Sequence, residues 1–257
     1  MGRLEHEPGM DGLNQSKSPL GQKIDSPTQY HPDILYRIDR QGAKGRGYDT
    51  WNCYELSCLL PSGKPLFLRG SFEVPVVSAY MVESKSLKLY LNSFNQHTCE
   101  SKEDMAQMIQ DDLSRLLEIN IKWRWEIVSQ EMPADLMDLD SLDLDVHVYE
   151  YDPRLLLRNS DQTGAWAVCM TAFRSLCPVT QQPDWATIYI SAESARPDFK
   201  SLYRYLVSFR NHAGFHEKCV DMMLQELSET LSATRLQVWA SFERRGGIAI
   251  CPYRYLP

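Results

Sequence analysis

From Trp51 onward, apolar and polar positions fall into short segments with two distinct periods. Trp51–Leu60 and Leu66–Val74 flank Pro61-Ser-Gly-Lys-Pro65, which predicts two strands joined as a hairpin. Met105, Met108, Ile109, Leu113 and Leu116 recur at the three-to-four spacing of a helix with one buried face. Trp123-Arg-Trp-Glu-Ile127 and Leu144-Asp-Val-His-Val148 alternate strictly, which predicts two half-buried strands. Between them, the acidic stretch from Glu131 to Asp140 reads as a solvated loop. The same order returns in the second half. Ala165–Phe173 and Thr187–Ser191 bracket a turn at Gln181-Gln-Pro-Asp184. Val220, Met223, Leu224, Leu227 and Leu231 mark another amphipathic helix, and Leu236, Val238, Ala240 and Phe242 alternate behind it.

The halves also share letters. At an offset of 115 residues, Ser86-Leu-Lys-Leu-Tyr-Leu-Asn-Ser-Phe-Asn-Gln-His97 overlays Ser201-Leu-Tyr-Arg-Tyr-Leu-Val-Ser-Phe-Arg-Asn-His212 with seven identities in twelve. This is the signature of an internal duplication. Each unit reads strand, strand, helix, helix, strand, strand, an antiparallel sheet with helices on one face and hence an α+β architecture. Residues 1–47 are polar and broken by proline and glycine, and read as an arm laid over the rest. The two units are then 48–150 and 151–257. Polar groups are divided unequally between them. Phe215-His-Glu217 faces Glu100-Ser-Lys102, and Cys177 faces Leu59 when Pro183 is set on Pro65. Each half is therefore expected to supply different parts of one site.

Composition narrows the classes. With 257 residues, 43% hydrophobic, the chain can bury a substantial core. A net charge of −7 argues against a nucleic-acid phosphate as partner, because counterion release needs a basic face. No apolar run reaches the roughly 18 residues that span a bilayer. Seven cysteines without a secretion signal predict reduced thiols and a cytoplasmic setting.

Four motifs carry candidate chemistry, and each has a plainer reading. Cys177 at a strand end is either a buried small residue or a nucleophile, and Asp184 beyond the turn is either a turn residue or its proton partner. His216-Glu217 either opens a helix or sets a proton donor beside a carboxylate that accepts paired N–H donors. Glu83-Ser-Lys-Ser86 is a capped helix start or a phosphate-binding helix N-terminus. Arg244-Arg-Gly-Gly247 is a charged turn or a phosphate grip. The spacing of His212 and His216 suggests a metal, but no third ligand is evident nearby and a metal is not expected. The G-x-G-x-x-G fingerprint is missing, so a Rossmann dinucleotide fold is excluded.

Together, Glu83 through Gln96, Cys177 through Trp185, Phe215-His-Glu217 and Arg244-Arg-Gly-Gly247 resemble the NADPH-dependent 7-cyano-7-deazaguanine reductases in their longer, two-module form. The resemblance spans about Pro19 to Tyr253. It implies two tandem tunnelling-fold modules, relatives of GTP cyclohydrolase I, in a homodimer. It implies reduction of a nitrile to a primary amine with two NADPH through a cysteine thioimide, in the making of the queuosine base of tRNA. Cys177 would be the nucleophile, Asp184 a proton donor with a raised pKa, and His216 a later proton source. Val82, Glu83, Ser84, His216 and Glu217 would hold the substrate. Ser84, Lys85, Arg245 and Gly246 would take NADPH, with no metal. Two rivals are a zinc hydrolase on the same fold, using Cys177 and His216, and a non-catalytic purine- or pterin-binding module.

Overall fold

A computed structural model of the chain describes residues 27–40, 42, 45–129 and 136–257. One seven-stranded sheet runs through it in the order β3-β2-β9-β8-β7-β6-β5. The first half contributes the hairpin β2 (Arg46–Leu59) and β3 (Pro65–Pro75), and the short β5 (Met137–Asp138). The second contributes the long hairpin β6 (Arg158–Leu176) and β7 (Pro183–Pro197), then β8 (Arg235–Phe242) and β9 (Ile248–Leu256). All pairings are antiparallel except β5 on β6. A separate two-stranded ribbon joins β1 (Arg37–Asp39) to β4 (Tyr80–Val82). Helices α1 (Ser84–Asn92) and α2 (Lys102–Leu117) pack on the first half, and α3 (Phe199–Ser208) and α4 (His216–Leu231) on the second.

Two cores form beneath these helix pairs. Trp51, Phe72, Leu87, Phe94 and Ile109 fill the first; Phe173, Ile188, Leu206, Met223 and Val238 fill the second. The seam is covalently second-half but packed with the first. β9 pairs with β2 from Arg46↔Tyr255 to Cys53↔Ile248, and its Ile248 and Ile250 lie in the first core.

The duplication is visible in atoms. Glu83 caps α1 by accepting Lys85 N and Ser86 N, and Asp198 caps α3 by accepting Lys200 N and Ser201 N. The hydroxyls of Tyr90 and Tyr205 each donate to a carboxylate on the second helix, Asp112 and Glu226. Tyr30 and Tyr151 donate to the same two carboxylates. These tyrosines open matching segments: Tyr30-His-Pro-Asp-Ile-Leu-Tyr-Arg37 and Tyr151-Asp-Pro-Arg-Leu-Leu-Leu-Arg158, four identities in eight at an offset of 121. Tyr36 N bonds Ser86 Oγ at 3.0 Å just as Leu157 N bonds Ser201 Oγ at 3.0 Å. The described part of the polar arm thus includes an opening strap of the first repeat. Residues 1–26 lie outside the described residues.

The expected pattern of four strands per unit is corrected in the first half. Trp123–Ile127 meets β3 at one bridge, Ser71↔Arg124, instead of running along it. The Trp123 ring is the reason. It lies against the Gly70 backbone, where an added Cβ would come within 2.3 Å of the ring, and stacks on Phe72. Asn52 then draws the chain across the edge through paired bonds to Val128. Leu144 and Val146 are half-buried, but Val148 is exposed and the segment joins no strand. The acidic segment is not wholly a solvated loop. Its residues 131–135 lie outside the described residues, but Leu139 is fully buried and Asp140 accepts from Thr171 N at 2.6 Å.

Candidate active site

A cavity of about 500 Å³ opens where the first half's ribbon and α1 meet the second half's β6–β7 turn, the start of α4 and the β8–β9 turn. Val82, Ser84 and Lys85 line it from the first half; Cys177, Asp184, His216, Glu217 and Arg245 line it from the second. Both halves thus build one site, as the divided repeat predicts.

Local structure explains the convergence. β6 ends at Leu176, paired with Pro183, and Cys177 follows in a loop closed by Cys177 N to Gln182 O at 2.9 Å and Gln181 N to Cys177 O at 3.0 Å. The first half pairs Leu59 with Pro65, so Leu59 matches Leu176 and Leu60 matches Cys177. The loop is one residue longer in the second half, which corrects the expected pairing of Leu59 with Cys177. Leu176 also bonds His212 O and Gly214 N, at 2.9 and 3.0 Å. These bonds bring Phe215-His216-Glu217 to the strand end that bears Cys177.

Asp184, 4% exposed, sits between two cations or potential cations. His216 Nε2 lies 3.2 Å from its Oδ2, and Arg245 pairs with its Oδ1. Burial by itself would raise the carboxyl, but the His216 hydrogen bond and the charges of His216 and Arg245 outweigh it and hold it below the ordinary range. The raised pKa expected for Asp184 is therefore corrected. The His216 ring is fixed by stacking on Phe242 at 3.8 Å between centroids, and its Nδ1 is buried with no partner. Glu217 is buried in the first turn of α4, and desolvation, with the Asp49 charge adding to it, pushes its carboxyl up.

Two expected site residues stand beside the lining instead of in it. Glu83 has one oxygen on Lys85 N and the other on Ser86 N, both at 2.7 Å, leaving each oxygen a second lone pair. Gly246, at φ +55°, lies against Lys88, whose Cδ would be 3.0 Å from an added Cβ. Lys88 itself is a lining residue that sequence reasoning missed. Burial lowers its ammonium, and the Arg245 charge adds to that. Its signal was available: it lies four residues after Ser84, on the same helical face. His212 packs on Phe209 and Tyr151 in the second core. Among the described residues, no three or more His, Cys, Asp or Glu side chains are grouped to hold a metal.

Residues 27–125 match the family described as nitrile reductase, 7-cyano-7-deazaguanine-reductase N-term, and residues 183–255 match the QueF-like protein family. Proteins named NADPH-dependent 7-cyano-7-deazaguanine reductase from Burkholderia mallei (strain SAVP1) and Burkholderia thailandensis are each 38% identical over 258 residues, covering 94% of this chain and 94% of their own. With two matched family regions and near full-length similarity of that kind, the chain belongs to the NADPH-dependent 7-cyano-7-deazaguanine reductases.

Proposed function

We propose that this protein reduces the nitrile of 7-cyano-7-deazaguanine to the aminomethyl group with two NADPH, through a covalent adduct on Cys177. The observation that carries the reading is the arrangement of Cys177 in a cavity lined also by the Asp184–His216 pair, by Arg245 bound to Asp184, and by Lys85 and Lys88. The balance is one nitrile, two NADPH and two protons to one primary amine and two NADP⁺.

Asp184 acts first as a base. A carboxylate held ionised by His216 and Arg245 takes the Cys177 proton; the sulfur bonds the nitrile carbon, and the proton passes to the nitrogen as one C–N π bond becomes an N–H bond. The product is a thioimide, a better hydride acceptor than the nitrile. His216, kept in plane by Phe242, supplies protons as the nitrogen becomes an amine. Glu217 accepts paired N–H donors from the amino-pyrimidinone edge, and Glu83 helps through its remaining lone pairs. Val82 and Ser84 line that end of the pocket.

The cationic wall suits a phosphorylated dinucleotide. Ser84, Lys85, Lys88 and Arg245 are anion-binding groups, and Gly246 leaves open the space beside Lys88 that a side chain would fill. NADPH, when bound, supplies hydride. We assign the architecture to two tandem tunnelling-fold modules within a homodimer, acting in the cytoplasm on a small molecule, in supply of the queuosine base.

The test is intact mass after mixing with 7-cyano-7-deazaguanine in the absence of NADPH. A gain of one whole ligand, lost in Cys177→Ala and discharged by NADPH, supports the reading. A folded protein that forms no adduct overturns it and favours a binding module.

A further inference from the structure

Behind Glu217 runs a buried chain of charges that the mechanism above does not use. Arg254 on β9 is fully buried. Its Nε donates to Asp221 Oδ1 at 2.6 Å, and its Nη2 lies 2.8 Å from Asp49 Oδ1 on β2, an ion pair without hydrogen-bond alignment. Its Nη1 is used by the carbonyls of Tyr48 and Tyr253. The other Asp49 oxygen pairs with Arg40, just past β1, whose Nε and Nη1 are buried without a partner. Asp221 stands one helical turn after Glu217 on α4, so both carboxylates share a face.

Two guanidiniums thus meet three buried carboxylates. Asp49 engages both arginines and Asp221 engages one, while Glu217, among the described residues, makes no ion pair within 4.0 Å. Burying that many charges is unfavourable unless each is matched, and removing one partner leaves its neighbour uncompensated. The pairing selects which carboxylate stays unmatched. The unmatched one is the carboxylate that lines the cavity.

We propose that the chain Asp221–Arg254–Asp49–Arg40 is a positioning device for Glu217, holding both arginines away from it so that its carboxylate is left for the N–H donors of the substrate. This rests on the reading of Glu217 as a substrate clamp and extends it to residues on β2, β9 and the strap after β1. Among the described residues, the charged or titratable groups that enter the balance around Glu217 are His216, Cys219 and Asp221 from α4, Asp49 from β2, Asp184 from β7, Arg40 just past β1 and Arg254 from β9. Removing the Asp49 charge also releases Arg40 toward Glu217. Removing the Arg40 charge leaves Asp49 less neutralised. The two changes must move the ionisation of Glu217 in opposite directions.

The experiment is non-covalent binding of 7-cyano-7-deazaguanine to the full chain in a Cys177→Ala background, followed against pH. Asp49→Asn is expected to move the acid side of the binding curve down by about one pH unit and to lower the plateau affinity as the freed Arg40 competes for Glu217, whereas Arg40→Met moves the acid side up by about one unit and leaves the plateau in place. On the acid side, below both curves, affinity then differs from the background by up to about tenfold per charge removed. Joining the substitutions is expected to return the curve near the background, whereas mere structural damage would add. Arg40→Met, at the end of the chain with two donors already unpaired, is the variant best able to fold, and it decides alone. An Arg40→Met curve that stays in place or moves down overturns the proposal while the clamp reading stands. A background protein that binds no ligand at any pH overturns both.

Discussion

Asp184 and His216 meet at 3.2 Å, carboxylate Oδ2 to imidazole Nε2, although one lies on β7 and the other opens α4. Arg245 takes the other Asp184 oxygen. These partners hold the carboxylate ionised, so Asp184 must receive a proton before it can give one.

Arg245 has two duties in this geometry, pairing Asp184 and contributing to the cationic wall. Arg245→Gln is expected to raise the Asp184 carboxyl, because a cation that stabilised its charged form is gone. Adduct formation without NADPH should then lose its plateau at acidic pH and begin to fall off at a higher pH than in the parent. NADPH KM should rise by about tenfold or more, in line with loss of a charge-assisted hydrogen bond. Steady-state kinetics and rapid-mix mass spectrometry separate the two effects.

Lys88 reaches the same wall from the helix face that carries Ser84. Lys88→Met keeps most of the side-chain volume and removes the charge. Its expected effect is an NADPH KM higher by about tenfold, with adduct yield on Cys177 unchanged. Gly246→Ala is expected to act in the same direction, since its Cβ would press on Lys88 at a backbone angle that favours glycine. NADPH titration monitored by fluorescence checks both.

Glu226 ties Tyr151 and Tyr205 together, and burial, with help from the Glu229 charge, pushes its carboxyl up to about 7. A carboxyl whose folded pKa exceeds its unfolded value contributes stability that is complete below the unfolded pKa of 4.5 and lost as pH rises through about 7. Glu226→Gln removes this dependence. Unfolding free energies from urea titrations at about pH 5 and about pH 8 should differ more in the parent than in the variant, by about 1 kcal/mol or less after allowance for solvent screening.

Gly47 sits on the seam between β2 and β9 at φ +142°, and an added Cβ would lie 2.0 Å from Tyr253 O. Gly47→Ala cannot be accommodated by a side-chain shift, because the obstacle is backbone. It is expected to destabilise the fold by about 3 kcal/mol or more and to lower Cys177 adduct formation with it, since Ile248 and Ile250 of the paired strand β9 line the cavity. Thermal unfolding together with the mass assay reads both losses.

Local order in the chain was enough to place the hairpins, the two amphipathic helices α2 and α4 and the repeat, because a strand or helix with one buried face must carry its period in its own residues. The same locality made Cys177, Asp184, His216-Glu217 and Arg245 readable as candidates: each sits beside a turn or helix start that the sequence marks. The last two strands of the first unit were misread for a reason outside their own residues. Alternation in Trp123–Ile127 and Leu144–Val148 states only that one face is covered; the outer edge of β3 is open, but it is met at a single bridge where Trp123 packs over Gly70, a contact between residues far apart in the chain. The depressed carboxyl of Asp184, the place of Lys88 in the wall and the chain from Asp221 to Arg40 depend on distances between residues tens to hundreds of positions apart. Coulomb energy and desolvation depend on separation in space and on burial. Sequence determined which groups were present; only folding decided which charges would stand together and which carboxylate would be left unpaired.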